Sequence, residues 1–261
     1  MFTSNPFAEL AVFLSPLVMQ VYAVLMILAV VLGTLFDVAH KKSAQYFLEN
    51  WRDAKSKAPK HVGGAKIVSL AVQTFLLDVL ASAELKDCSA RRRVAHLLIM
   101  YGFVAYVTAT IVMIFGYPTL ATATPTIWPF LWHIGALLVC VGGYWFWFFL
   151  RVDVLAEGYS PFRVVRADLF ILSLLASATM GLLWSWLQAT GVGWLFFGLY
   201  VIATTVLFGS VPWSKFAHMF FKPAAALQKR VTEAEGSRSN LPAPADKPET
   251  FGRARGVPQN Y

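Results

Sequence analysis

From Val94 to Leu150 the chain carries no Asp, Glu, Lys or Arg, and the same holds from Leu10 to Phe36 and from Leu169 to Ser214. Apolar runs of this length fit the hydrocarbon of a bilayer, where about 20 residues make one helical crossing. Composition agrees: 57% of the 261 residues are hydrophobic and 14% charged, against about 25% charged in a soluble domain. A water-soluble enzyme is thereby excluded. The net charge of +8 is read as topology, not as a nucleic-acid surface, because in a membrane protein its placement matters more than its sum. The predicted fold class is all-α, a polytopic membrane protein.

Helix breakers divide the long runs. Gly116, Pro118 and Pro125 split the middle one, and the turn around Gln188, Gly191 and Gly193 splits the last. Five transmembrane helices result, at about 10–36, 94–115, 127–150, 169–187 and 194–213. A sixth candidate, Ile67–Ser82, is short and interrupted by Gln73, Thr74 and Asp78, with Lys60 and Lys66 before it and Lys86, Arg91, Arg92 and Arg93 after it. It is expected to lie in the membrane interface as an amphipathic helix within the loop 41–93. With five crossings, all 22 Lys and Arg fall on one side and only Glu9 on the other. The positive-inside rule then puts the amino terminus outside and the carboxyl tail in the cytoplasm. The first span lacks a basic n-region and exceeds a signal peptide's apolar core, so it is expected to remain in the mature protein. The membrane domain is expected over 1–223, followed at 224–261 by a mostly disordered tail, rich in Pro, Gly, Ser and charge beyond Glu235. Gly142, Gly143 and the set Gly191, Gly193, Gly198 read as close helix packing.

Spans nearly free of charge argue against an ion-coupled transporter, since intramembrane ionisable groups usually mark such pathways. Cys88 and Cys140 lack the spacing of a zinc or iron–sulfur motif. Five histidines remain. His61 lies in the charged loop, His40 ends the first span, and His133 opens the third with no second histidine at its depth. His96 and His218 both belong at the cytoplasmic end, one at the start of the second span and one after the fifth. Two histidines on facing helices can hold a haem iron from both sides. Spacing alone leaves this pair open between haem ligation and two ordinary interfacial residues. Arg92, Arg93 and Lys215 are near enough in sequence to meet haem propionates.

The segment Pro212-Trp-Ser-Lys-Phe-Ala-His218-Met-Phe-Phe-Lys-Pro223 resembles the end of the last membrane helix in the gamma subunit of respiratory nitrate reductase. That family has five spans with the amino terminus outside. The resemblance implies that His218 ligates the haem nearer the cytoplasm, with His96 as its partner. Two-haem members carry further ligands ten residues after the first and eighteen before the last, where this chain has Tyr106 and Tyr200. Ten helical residues rise about 15 Å, so those positions address a second, deeper haem, and the resemblance implies one haem b here.

Leu35–Ala44, Arg92–Phe103 and Trp128–His133 are similar to the membrane domain of the quinone-interacting oxidoreductase complex of sulfate reducers. They are more similar still to the stand-alone membrane anchor of dissimilatory adenylylsulfate reductase in sulfur oxidisers, a likeness that covers most of residues 30–223. What it implies is a subunit of the cytoplasmic membrane that docks a soluble iron–sulfur flavoprotein, adenylylsulfate reductase, and passes electrons between it and the quinone pool. Tyr106 is then a candidate donor to a quinone carbonyl. A cofactor-free anchor for the same partner, or a small-anion transporter, are the competing classes.

Overall fold

The computed structural model describes residues 2–40, 43–83, 89–151, 158, 160, 162–213 and 218–237. Every regular element among them is helical. Two compact units divide the chain: one comprises residues 1–34 and 94–215, the other 35–93 and 216–261.

The first unit is an apolar bundle. After a short helix α1 (Pro6–Leu10) come α2 (Pro16–His40), α5 (Ala90–Gly116), α6 (Ile127–Trp145), α7 (Leu169–Leu187) and α8 (Gly193–Gly209). Of these, α2 and α5 enter and begin, respectively, in the second unit. Among the described residues four helices, 16–40, 90–116, 127–150 and 166–187, are long and apolar enough to cross a membrane. The chain is thus a polytopic, multi-pass membrane protein by its helices. At 17 residues α8 is about 25 Å long against a hydrocarbon thickness of about 30 Å. A 3-10 turn at Val211–Trp213 carries it further.

The first long helix begins at Pro16, not Leu10. Asn5 caps α1 by accepting from the Phe7 and Ala8 amides, and the chain turns over 11–14 before Pro16, whose fixed φ and missing N–H suit a helix start. The third helix ends in a wide π turn, Phe146–Leu150, and runs into Arg151. There a clasp forms: Arg151 Nη1 meets Asp168 Oδ2 at 2.6 Å, Nη2 donates to the Arg163 carbonyl, and the guanidinium lies 4.0 Å above the Trp147 ring.

Backbone contact joins α5 to α6. A Cβ on Gly102 would stand 2.7 Å from the Gly135 carbonyl oxygen, and one on Gly142 would stand 2.8 Å from that of Ala95. The pairs repeat every seven residues on both helices, the period of a shallow-angle seam. Gly143 instead abuts Leu175 of α7. Gly191 and Gly198 have nothing within 4 Å, and Gly193 meets only its own turn at Leu187 and Gln188. The close-packing reading therefore holds for Gly142 and Gly143 and not for the later set, whose glycines serve the α7–α8 turn or face outward.

The second unit holds α3 (Ser43–Ser56), α4 (Gly64–Gln73) continued by a π-helical segment Thr74–Leu80, and α9 (His218–Glu235). The loop expected between the first two spans thus contains a helix, α3, besides α4. Its less exposed positions, Ala44, Phe47, Trp51 and Ala54, recur at helical spacing. The tail expected to be disordered from 224 is helical as far as Glu235. Pro223 sits inside α9 and does not end it, because Val231, Thr232 and Glu235 bury one face where α9 packs on α3, α4 and the π segment. Gly236, at φ +75°, ends the helix. Residues 238–261 lie outside the described residues.

Candidate functional site

His96 lies in the second turn of α5, half-buried, beside the fully buried Ala95. Because Ala95 is pressed against Gly142, no group the size of a haem enters the α5–α6 seam. A haem on His96 would occupy the flank of α5 away from it. The residues fit to that extent: an imidazole at the end of an apolar helix, not sealed into the seam. His218 opens α9 in the other unit, and its ring lies outside the described side chains, as does Lys215 altogether. Arg93 donates from Nε to the Ala81 carbonyl at 2.9 Å, which commits part of the guanidinium expected on a propionate; Arg92 is half-buried one residue before it. No cluster of three or more His, Cys, Asp or Glu that could hold a metal ion occurs among the described residues.

The bundle interior is aromatic. Trp132 is fully buried and packs on Tyr106 at 5.2 Å, His133 at 4.9 Å and Trp184 at 6.4 Å between ring centroids. Trp184 in turn stacks on Tyr200 at 5.6 Å. The Trp132 indole N–H donates to Thr110 Oγ1, so its polar edge is satisfied. Phe7 of α1 meets both Trp132 and Trp184 edge-on. Asn5 Nδ2 donates to the Tyr117 carbonyl and to Thr124 Oγ1, and Gln188 Nε2 donates to the Pro6 carbonyl. Together these contacts tie α1 across the end of the bundle.

His133 is a satisfied core histidine. Its Nδ1 lies 2.7 Å from the Pro129 carbonyl and its Nε2 2.9 Å from Ser185 Oγ. A carbonyl only accepts, so Nδ1 carries the proton, and in the neutral ring Nε2 accepts from the serine. Both nitrogens are thereby engaged. His40 is exposed and stacks on Phe36, and His61 is exposed in the turn before α4.

Tyr106 and Tyr200, read as replacing a second pair of haem ligands, do come together in the core. Tyr106 is 5% exposed and Tyr200 4%. The Tyr106 hydroxyl fills the notch at Gly181, where a Cβ would stand 2.8 Å away, and Tyr200 lines the same notch. The hydroxyls of Tyr200 and Ser177 are near enough to act on that of Tyr106, yet none meets the geometry of a hydrogen bond, and the Tyr106 oxygen is buried without a partner. Ser177 is bonded to Thr204 instead, at 2.8 Å. Tyr106, the candidate quinone contact, therefore has its hydroxyl inside the bundle. A quinone arriving from lipid meets no exposed hydroxyl here, since α7 and α8 cover it. An unpartnered buried hydroxyl costs folding free energy, so Tyr106→Phe is expected to leave the thermal midpoint unchanged or raise it slightly. Gly181→Ala, which drives a methyl into that oxygen, is expected to lower it; unfolding in detergent compares the two.

Small residues on α7 made these approaches possible, and their spacing was visible in the sequence: Ser173, Ser177, Gly181 and Ser185 stand four apart on one face. The clasp of Arg151 with Asp168 was visible only as two charges near a membrane boundary. No protein-family model matches the chain. No curated protein and no solved structure matches it significantly.

Proposed function

We propose that the chain is a five-span membrane subunit of a redox complex, with its amino terminus outside and its basic face in the cytoplasm. It docks a soluble iron–sulfur flavoprotein, adenylylsulfate reductase by the resemblance above, and passes electrons between that enzyme and the quinone pool. His96 and His218 hold one haem b. α8 makes the fifth crossing, with the Val211–Trp213 turn completing its length, and the complex sits in the cytoplasmic membrane.

The observation that carries this reading is the placement of His96: a half-buried imidazole in the second turn of a membrane-length helix, outside the sealed α5–α6 seam. Haem, when bound, supplies one-electron transfer. The chain's own contribution would be the His96 and His218 imidazoles to hold the group, and the Trp132–Trp184–Tyr200 aromatic core to keep water from the interior. The basic face favours an acidic soluble partner by long-range attraction. In the resemblance, that partner oxidises sulfite with AMP to adenylylsulfate, and its clusters deliver the electrons.

A reduced-minus-oxidised spectrum of the purified protein tests the assignment. Wild type is expected to show a haem b band that His96→Ala and His218→Ala abolish and His133→Gln retains. A wild type without haem overturns the electron-transfer reading. A band that survives either alanine variant overturns the ligand pair.

A further inference from the structure

In the second unit, α4 and its π-helical extension present two unlike faces. Inward lie Leu70, Thr74 and Asp78. Outward lie Val68, Val72, Phe75, Leu76 and Leu77, exposed by 64%, 52%, 54%, 50% and 45%. Bonding from i to i+5 puts an extra residue in each turn, which leaves room for three consecutive outward apolar residues between inward Thr74 and Asp78. Asp78 is the one acid between Pro59 and Ala83, and it is committed: Arg230 of α9 donates to it from Nε at 2.8 Å and from Nη2 at 3.0 Å. The Asp78 side chain is 7% exposed and that of Arg230 28%. The free face therefore carries apolar groups and no negative charge, with exposed Lys60, His61 and Lys66 at its amino-terminal end.

What covers that face follows from chain continuity. The π segment ends at Leu80, the chain turns at Ser82, at φ +47°, and the Arg93 bond to the Ala81 carbonyl holds the segment's end against the first turn of α5, a helix of membrane-spanning length. We propose that α4 and its π segment are seated in the interface of an anionic bilayer by Val68, Val72, Phe75 and Leu76, and that the Asp78–Arg230 pair hangs α9 on this membrane-bound cradle. Asp78 and Arg230 are positioning residues: they make the placement of the C-terminal helix depend on a surface helix held by lipid. The inference rests on α5 crossing the bilayer and is independent of the haem assignment.

Spin labelling of the full chain in nanodiscs tests both halves, on a Cys88→Ser, Cys140→Ser background. Labels at Val68→Cys, Val72→Cys and Phe75→Cys are expected to collide more with oxygen than with a water-soluble nickel chelate in discs containing anionic lipid. Lys55→Cys on the exposed side of α3 is expected to show the reverse. If the ridge labels behave like the one at Lys55, the face is wet or kept for a protein partner, and the seating is overturned. For the hanger, the distance between labels at Ser69→Cys and Lys229→Cys is measured by pulsed resonance. A narrow peak is expected, lost in Asp78→Asn and in Arg230→Gln and restored when Asp78→Arg is combined with Arg230→Asp. An unchanged peak in whichever single variant folds, or a swap that fails to restore it, overturns the pair's positioning role.

Discussion

Gly135→Val is expected to prevent the bundle from assembling, seen as loss of the monodisperse species in detergent and of the cooperative thermal transition. The new side chain would start 2.7 Å from both the Gly102 carbonyl oxygen and the Tyr106 amide nitrogen. Neither atom can step aside without moving α5 as a whole. Ordinary overpacking costs about 1–3 kcal/mol because flexible side chains yield; contact with backbone yields less, so the cost here should exceed that range. In a bilayer the loss is not recovered elsewhere, since helices associate there by close van der Waals contact and not by escape from water. Gly198→Val is the matched control. It adds the same atoms to α8 where nothing lies within 4 Å, and it should leave the transition within about 0.5 kcal/mol of wild type.

Asp168→Ala should be the most damaging single charge deletion. The Arg151 and Asp168 side chains are 10% and 11% exposed, and the carboxylate also accepts from the Val165 amide at 2.9 Å. Removing the anion breaks an ion pair largely withdrawn from solvent over Trp147, which costs about 3–5 kcal/mol in comparable buried pairs. Thermal unfolding is expected to shift accordingly. Replacing both partners by apolar residues, Arg151→Met with Asp168→Leu, should recover much of the loss, since both charges are then gone. If the double variant is as unstable as the single one, the clasp acts through the Val165 and Arg163 contacts and not through its charges.

Charge-free stretches placed four long helices within a few residues because one physical requirement, the absence of charge in hydrocarbon, writes itself along the chain. The second unit was harder, since its order comes from pairings that local pattern does not announce. Asp78 read as an interruption of an apolar run, and its partner Arg230 stands 152 residues away. Residues from 224 read as a disordered tail, but burial of the face formed by Val231, Thr232 and Glu235 orders α9 as far as Glu235. In α3 the spacing of Phe47, Trp51 and Ala54 was present and obscured by surrounding charge. Widened turns at Thr74–Leu80 and Phe146–Leu150 have no comparable signature, because the extra residue per turn is decided by what the flanking side chains pack against. At the candidate site, the likeness marked Tyr106 and Tyr200 as a pair. Only the fold shows that Gly181 receives the Tyr106 hydroxyl and seals it from lipid.

The tie of α1 across the bundle end has a consequence for biogenesis. Asn5, Pro6 and Phe7 find their partners at Tyr117, Thr124, Trp132, Trp184 and Gln188, so a segment translated early cannot settle until α7 has left the ribosome and inserted. Until then its socket is incomplete, with only the Trp132 side of it in place once α6 is made. Its docking is then a late event that reports completion of the α5–α6–α7 core, and a protease that cleaves before Leu10 in unfinished chains but spares finished ones would time that moment.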